Sequence, residues 1–524
     1  MSIWHCPTMA FRYINAVKSS KGTVYLVGAG PGDAGLLTLR GAELLRNADV
    51  VICDVLVNPE LLRLAPAGAE IIARGNHKRH GGLSQEDLTA AMIAHAKKGK
   101  SVVRLKGGDP FIFGRGGEEA EALVAEGIPF VVVPGVSSVV AAANYAGIPL
   151  THREHCSSFT VFTGHSDSAD PATALHYEQI AKIPGTKVVL MGTDNLADWT
   201  KALIAHGASP KTPVAVVHRG TTGRQKSVSG TLSTIAGLAA KEKISPPAIT
   251  IVGDVVKLRE KLNWFEHLPL FSKRIVVTRS RMQAGKFSKK LSELGAEVLQ
   301  ISVVKGEMPD NKQDFVDALL SLNSYDWLVF TSVNGVTVFF DLFFRQFKDL
   351  RDIGGAKIAA VGPATAAKLR EYHLQVDLMP EEFLGRKIAE SFAKHSSVEN
   401  TKICLMRAEK ANSDLPLALE ELGAIVDDIG LYKTVIETED FFGAAEDFRQ
   451  HGADWLTFTS GSTVEFFHER FDLPKTLKQF PELKIASIGP ETSKALAALN
   501  IKPAIEAKEH TTDGIVAALV KANA

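Results

Sequence analysis

Three kinds of residue in this 524-residue chain could do chemistry. The first is bare backbone. Gly107, Gly108, Asp109 and Pro110 break the apolar run 102–105, and a second glycine turn at 114–117 follows before Glu118 and Glu119. Glycines at the carboxyl end of a strand let a ligand approach the main chain, and open α/β sheets bind ligands at that end. The second is a lone carboxylate. Asp54 closes the run DVVICD (49–54) and could take up a proton, although an isolated acid there equally caps the next turn. The third is a set of hydroxyls at helix starts: Thr331 with Ser332, Gly362 with Thr365, Thr459 with Ser460 and Ser462, and Gly489 with Thr492. Capping explains each one singly; together they describe a cleft where free amides and positive helix ends grip a flexible polycarboxylate. His152, His155 and Cys156 have metal-ligand spacing but no second pair nearby, so no metal is expected.

The elements that must carry these groups read as α/β throughout. TVYLVGAGPGD (23–33) is a strand, a turn and a helix start. Asp33 stands where a dinucleotide turn needs its third glycine, and Pro31 removes a donor, which excludes NAD and nucleoside triphosphates. VVVPGVSS (131–138) is another strand ending in a turn, with Ser137 and Ser138 placed to cap the next helix. Strands at 158–165, 187–193, 213–222 and 248–256 follow. A short linker, 266–273, contains Pro269, and an internal repeat then begins. Segments 274–298 and 402–426 are offset by 128 residues, as are 325–340 and 453–467; 357–369 and 484–496 are offset by 127. Two equivalent lobes are expected.

Length implies roughly three or four domains. Lys plus Arg and Asp plus Glu both total 59, so no global field favours nucleic acid or an anionic membrane. Cys6, Cys53, Cys156 and Cys404 are far apart, which predicts reduced thiols and a cytoplasmic protein. No stretch is apolar enough to span a membrane, and the first twenty residues read as neither signal nor anchor, with Met9 a possible natural start.

Residues 102–119 (VVRLKGGDPFIFGRGGEE), with VGAGPGD, D-x-L-V at 54–57 and the closing KLNWF (261–265), resemble the uroporphyrinogen III C-methyltransferases. That resemblance implies a bilobal tetrapyrrole-methylase fold and S-adenosylmethionine as cofactor. It implies cofactor contacts at Pro31, Gly107, Gly108, Asp109, Ile112, Ser137, Ser138, Met191 and Gly220, and Asp54 as general base. The lysine that the family proposes as proton donor falls on Asn76. Cations expected toward a polycarboxylate are Arg74, Lys78, Arg79, Arg104, Arg115, Arg153, Arg219 and Arg224. His77 and His80 read as part of a solvated loop.

In the second half, Thr278-Arg279, 330–335 (FTSVNG), 361–365 (VGPAT) and 431–434 (LYKT) are similar to uroporphyrinogen III synthase. The resemblance implies a two-lobed, internally repeated fold of parallel sheets flanked by helices. It implies substrate contacts at Arg279, Thr331, Ser332, Thr365, Thr459, Ser460, Ser462 and Thr492, and Tyr432 as the acid that assists loss of water. Packing between lobes is the other reading of Tyr432. The expected organisation is an extension at 1–21, methyltransferase lobes at 22–130 and 131–265, and synthase lobes at 274–304 plus 437–520 and at 305–436. The fusion implies two consecutive steps: closure of hydroxymethylbilane to uroporphyrinogen III, then two methylations giving precorrin-2. Partners are tetrapyrroles, with a homodimer through the first half. Methylation of a later corrinoid, or tetrapyrrole binding without catalysis, stays open from sequence.

Overall fold

The computed structural model describes residues 21–66, 68–73, 83–164, 175–309, 311–381, 385–395, 397–411, 413–440 and 443–524. Arg74, Asn76, His77, Lys78, Arg79 and His80 lie outside the described residues, as does nearly all of the extension.

Short apolar runs make the first sheet, and its three central strands are buried on both faces. Its strands are β1 (Val24–Gly28), β2 (Val50–Cys53), β3 (Glu70–Ala73), β4 (Val102–Lys106) and β5 (Phe130–Val133). They pair in the order β3-β2-β4-β1-β5, all parallel, so every strand's carboxyl end opens on one edge. The second sheet holds β6 (Phe159–Thr163), β7 (Thr186–Leu190), β8 (Pro213–His218), β9 (Lys226–Thr231) and β10 (Ala248–Val252). Its order is β6-β7-β10-β8-β9, and only β6 and β7 run parallel. The seven residues between β8 and β9 contain no crossover helix, and a connection that short returns the chain antiparallel.

The second half contains β11 (Arg274–Val277), β12 (Glu297–Gln300), β13 (Val304–Glu307), β14 (Trp327–Phe330), β15 (Lys357–Ala360), β16 (Lys402–Ala408), β17 (Ile425–Ile436), β18 (Trp455–Phe458), β19 (Lys484–Ser487) and β20 (Ile505–Glu506). Two sheets form, β12-β11-β18-β19-β20 and β13-β17-β16-β14-β15. All pairs are parallel except β13 with β17. The orders superpose when β11 is matched to β16, β12 to β17, β18 to β14 and β19 to β15, as the repeat requires. Equivalent aromatics carry the two cores in the same arrangement. Phe330 meets Phe339 at 5.4 Å in one lobe, and Phe458 meets Phe467 at 5.5 Å edge-on in the other. Phe343 then stacks on Phe339, and Phe471 on Phe467.

The chain passes between these lobes twice, near 302 and near 437. Arg470 holds both passages, Nη1 donating to the carbonyls of Ser302 and Glu437 and Nη2 to that of Thr438.

Two candidate active sites

In the first sheet the ends of β1, β4 and β5 meet as bare backbone. Gly108 N–H donates to Gly30 O at 2.7 Å, and Gly30 N–H returns a bond to Gly108 O. A Cβ on Gly135 would stand 2.2 Å from Gly108 O and 2.6 Å from Gly28 Cα, so only hydrogen fits. Gly108 itself has φ +66°, the left-handed region glycine enters without strain. Asp109 ties the loops: its carboxylate accepts from Phe111 N at 2.8 Å and from Gly135 N at 3.0 Å. In front of Gly107 and Gly108 the nearest atoms are Leu56 Cβ, at 3.4 Å from a Cβ built on Gly107, and the backbone of Ser137 and Ser138, at 3.8 Å from one built on Gly108. This is a cradle that side chains would fill. Phe111, Ile112, Phe113, Val55 and Leu56 stand exposed on the loops after β4 and β2.

Further loops close on this floor. Tyr145 OH donates to Asp33 Oδ2 at 2.7 Å, and Asp33 N–H donates to Thr221 Oγ1 at 3.1 Å. A Cβ on Gly220 would meet Ala142 Cβ at 2.5 Å, so the loop after β8 lies directly on helix Ser138–Tyr145. Trp264 and Phe265 of the KLNWF ending pack on Tyr145, with centroids 5.0 and 4.8 Å away. Met191, exposed at the end of β7, has φ +51°, and Phe113, Arg115, Arg219 and Thr221 also have positive φ. Non-glycine residues in that region carry backbone strain, which gathers at functional loops.

Asp54 follows β2 at the same edge, one-fifth exposed. Its Oδ1 accepts from Arg104 Nη2 at 2.6 Å, and Lys106 Nζ lies 3.8 Å from Oδ2. Arg104 and Lys106, two residues apart on one face of β4, are 0% and 1% exposed and converge on Glu119, itself 1% exposed. Arg104 Nε donates to Glu119 Oε1 at 2.9 Å, Lys106 Nζ at 3.1 Å, and Gln85 Nε2 at 2.6 Å. Burial pushes the Lys106 ammonium down, and the Arg104 charge adds to that. Arg104 is therefore no groove cation, as sequence had it; it is sealed in the sheet and orients Asp54. The signal was present as two charges at strand spacing inside an apolar run, with an acid on the following helix.

Arg224 needs a similar correction. Its guanidinium binds Glu297 and Asp447 across the junction with the second half. Arg115 is exposed and pairs with Glu118 at 2.6 Å, while Arg153 is exposed in the turn after Thr151. In that turn His152, Glu154 and His155 bring ligand atoms within 4.8 Å of one another. Cys156 turns away, its Sγ on Leu150 O and Thr186 Oγ1.

The second half presents capped helix starts at strand ends. Ser332 Oγ accepts from Gly335 N at 3.0 Å and contacts Tyr432 OH, also at 3.0 Å. Tyr432 is largely buried in β17, beside a register shift against β16. In the other lobe Ser460 accepts from Thr463 N and contacts Ser462 Oγ at 3.0 Å. Thr331, Thr459 and Arg279 sit beside them, partly exposed, and burial lowers the Arg279 guanidinium's pKa. Thr365 and Thr492 are 5% and 2% exposed, which corrects their reading as ligand hydroxyls. They lie in the first turns of helices Pro363–Glu371 and Pro490–Ala498, whose leading backbone amides have no intrahelical partner.

Residues 23–236 match the family model described as tetrapyrrole (corrin/porphyrin) methylases, and residues 285–517 match uroporphyrinogen-III synthase HemD. A porphyrin biosynthesis protein HemD of Ruminiclostridium josui is 37% identical over 501 residues, covering 95% of this chain and 98% of that one. The chain belongs to the two-part tetrapyrrole-biosynthesis family, a methylase fused to a synthase. Over the methylase half, a protein of Methanosarcina barkeri named S-adenosyl-L-methionine-dependent uroporphyrinogen III methyltransferase is 49% identical, covering 46% of this chain and 94% of the other. A crystal structure of a Thermus thermophilus uroporphyrin-III C-methyl transferase complexed with S-adenyl homocysteine is 39% identical. It covers 45% of this chain and all of that one, with TM-score 0.39. None of the described helices is long and apolar enough to cross a membrane.

Proposed function

We propose that the synthase half closes hydroxymethylbilane to uroporphyrinogen III, inverting ring D with loss of water, and that the methylase half then methylates this product at C2 and C7 to give precorrin-2. The observation that carries the reading is the glycine-floored mouth with a positioned carboxylate, Asp54, at its side.

S-adenosylmethionine is the methyl donor, and it supplies a methyl already activated on a sulfonium. The protein's task is alignment and removal of a proton. Gly107, Gly108, Ser137 and Ser138 offer backbone against which a polar, flat ligand can lie; Asp109 holds that floor in shape. Pro31, Ile112, Met191 and Gly220 complete the walls. Asp54, oriented by Arg104, accepts the proton that the methylated carbon releases. Arg115 and Arg153, with Lys78 and Arg79 outside the described residues, meet the substrate's carboxylates.

In the synthase half the helix starts at Ser332, Gly362, Ser460 and Gly489 present amides and hydroxyls to a polycarboxylate, with Arg279, Thr331, Thr459 and Ser462 beside them. Tyr432 OH donates the proton with which the substrate's hydroxyl leaves as water, and Ser332 fixes that phenol. Closure then follows from the folded shape of the bilane. The free thiols of Cys53, Cys156 and Cys404 fit a cytoplasmic setting, and a homodimer through the methylase half is part of the reading. The product feeds sirohaem, haem d1 or cobalamin formation.

Hydroxymethylbilane and a labelled methyl donor, given anaerobically to the purified chain, test both halves. Doubly methylated, type III product is expected. Unmethylated uroporphyrinogen III would remove the first activity, and isomer I or open bilane the second.

A further inference from the structure

Strand β12 belongs to the synthase half but grips both lobes of the methylase. At its start, Glu297 binds Arg224 Nε, from the turn between β8 and β9. The contact is close: a Cβ on Gly223 would stand 2.2 Å from Glu297 N. Arg224 also reaches Asp447, and Arg274 binds both Glu297 and Asp447, which closes a ring of two guanidiniums and two carboxylates. At the strand's other end Gln300 Nε2 donates to Glu60 Oε1 at 3.2 Å, in the 3₁₀ turn Pro59–Leu64 of the first lobe.

Each grip leads to the turn at 31–33 within a few residues. On one side Asn58, which caps the Pro59–Leu64 turn, donates Nδ2 to Gly32 O at 2.7 Å. On the other, Gln225 beside Arg224 accepts from Thr221 N at 2.9 Å, and Thr221 Oγ1 accepts from Asp33 N. The two anchors are thus three residues apart on one strand that pairs with β11 along its whole length. A paired strand is stiff and spans roughly 10 Å over three steps, so it sets the spacing of whatever is fastened to its ends. Burial raises the pKa of the Glu60 carboxyl and the Asp33 charge adds to the rise, so this anchor also senses the turn electrostatically.

We infer that β12 is a positioning element for methyl transfer: the synthase half braces the two methylase lobes and holds the 31–33 turn at the setting the methyl donor requires. Arg224, Glu297 and Gln300 act through that turn and are positioning residues. The inference rests on the proposed seat of the donor against Pro31, Gly107 and Gly108.

The test uses the full chain, with methyl transfer and bilane cyclisation assayed separately. Gln300→Ala and Arg224→Ala are expected to raise the KM for S-adenosylmethionine three- to tenfold, with kcat and cyclisation within twofold of the parent. Arg224→Lys should recover much of the loss, because one charged contact is kept. An unchanged KM in both alanine variants overturns the brace. A fall in kcat with KM constant also overturns it, since lost positioning of the donor must appear in binding. Gly107→Leu, titrated with S-adenosylhomocysteine, separates this from the underlying reading. Full affinity there moves the donor out of the cradle and sinks both ideas; lost affinity there, with normal binding in the β12 variants, sinks the brace alone.

Discussion

The two mouths of this protein are made of opposite materials. In the methylase half, Gly28, Gly108 and Gly135 touch through their main chains, and no side chain can be added at Gly135 without moving a carbonyl. In the synthase half the openings are helix starts capped by Ser332 and Ser460, where Ser, Thr, Asn, Asp and Gly serve nearly alike. A floor of packed backbone admits few sequences, and a capped helix start admits many. That is why the first half announces itself in long glycine motifs, whereas the second needs its repeat to be legible.

Substitutions at the two mouths should therefore differ in size. The largest effect is expected for Gly135→Ala, which forces the β4 and β5 loops apart. Methyl transfer should fall by about 100-fold, the scale of an ångström-sized misplacement, while cyclisation persists. Comparable methyl transfer in this variant would erase the contrast between the mouths. Next is Tyr432→Phe, expected to slow cyclisation by about 100-fold with methyl transfer intact, as removal of a general acid does. A phenylalanine variant as fast as the parent would make Tyr432 a packing residue that happens to meet Ser332. Smaller still are Ser332→Ala and Ser460→Ala, each expected to cost about 1 kcal/mol in urea unfolding, the usual value of a lost cap. Matching losses would extend the equivalence of the two lobes from topology to energetics.

The smallest effect concerns pH at the junction. Burial opposes ionisation of Asp447, but Arg224 and Arg274 outweigh it and hold the carboxyl below its usual range. A depressed carboxylate stabilises above its unfolded pKa of about 3.9, and that stability is lost as pH falls through the lower folded value. The stability difference between parent and Arg224→Ala should stay level from neutral pH to about 5 and shrink below about 4, with a size under about 1 kcal/mol for so partly exposed a pair. A difference that already fades near neutrality would assign the titration to a group other than Asp447.

The α/β class and the doubled second half were readable because apolar runs, glycine turns and a fixed offset survive in one dimension. Direction of pairing in the second sheet was not, since β8 and β10 are equally apolar whichever way they run. Burial of charge was the other blind point. Arg104 looks like a groove cation until Glu119, fifteen residues on, is folded against it. Arg224 looks the same until partners 73 and 223 residues away arrive. Thr365 and Thr492 show the limit at finer scale, since the side of a helix start that a hydroxyl occupies depends on how the helix seats, not on its cap signal.

Arg470 fastens both chain passages between the synthase lobes through three carbonyls. Arg470 and its three acceptors all belong to the lobe formed by 274–304 and 437–520, so the bonds pin both passages to that lobe where the chain leaves it and returns. One guanidinium thus gives two stretches of chain that are remote in sequence a common footing, so both leave that lobe from the same point.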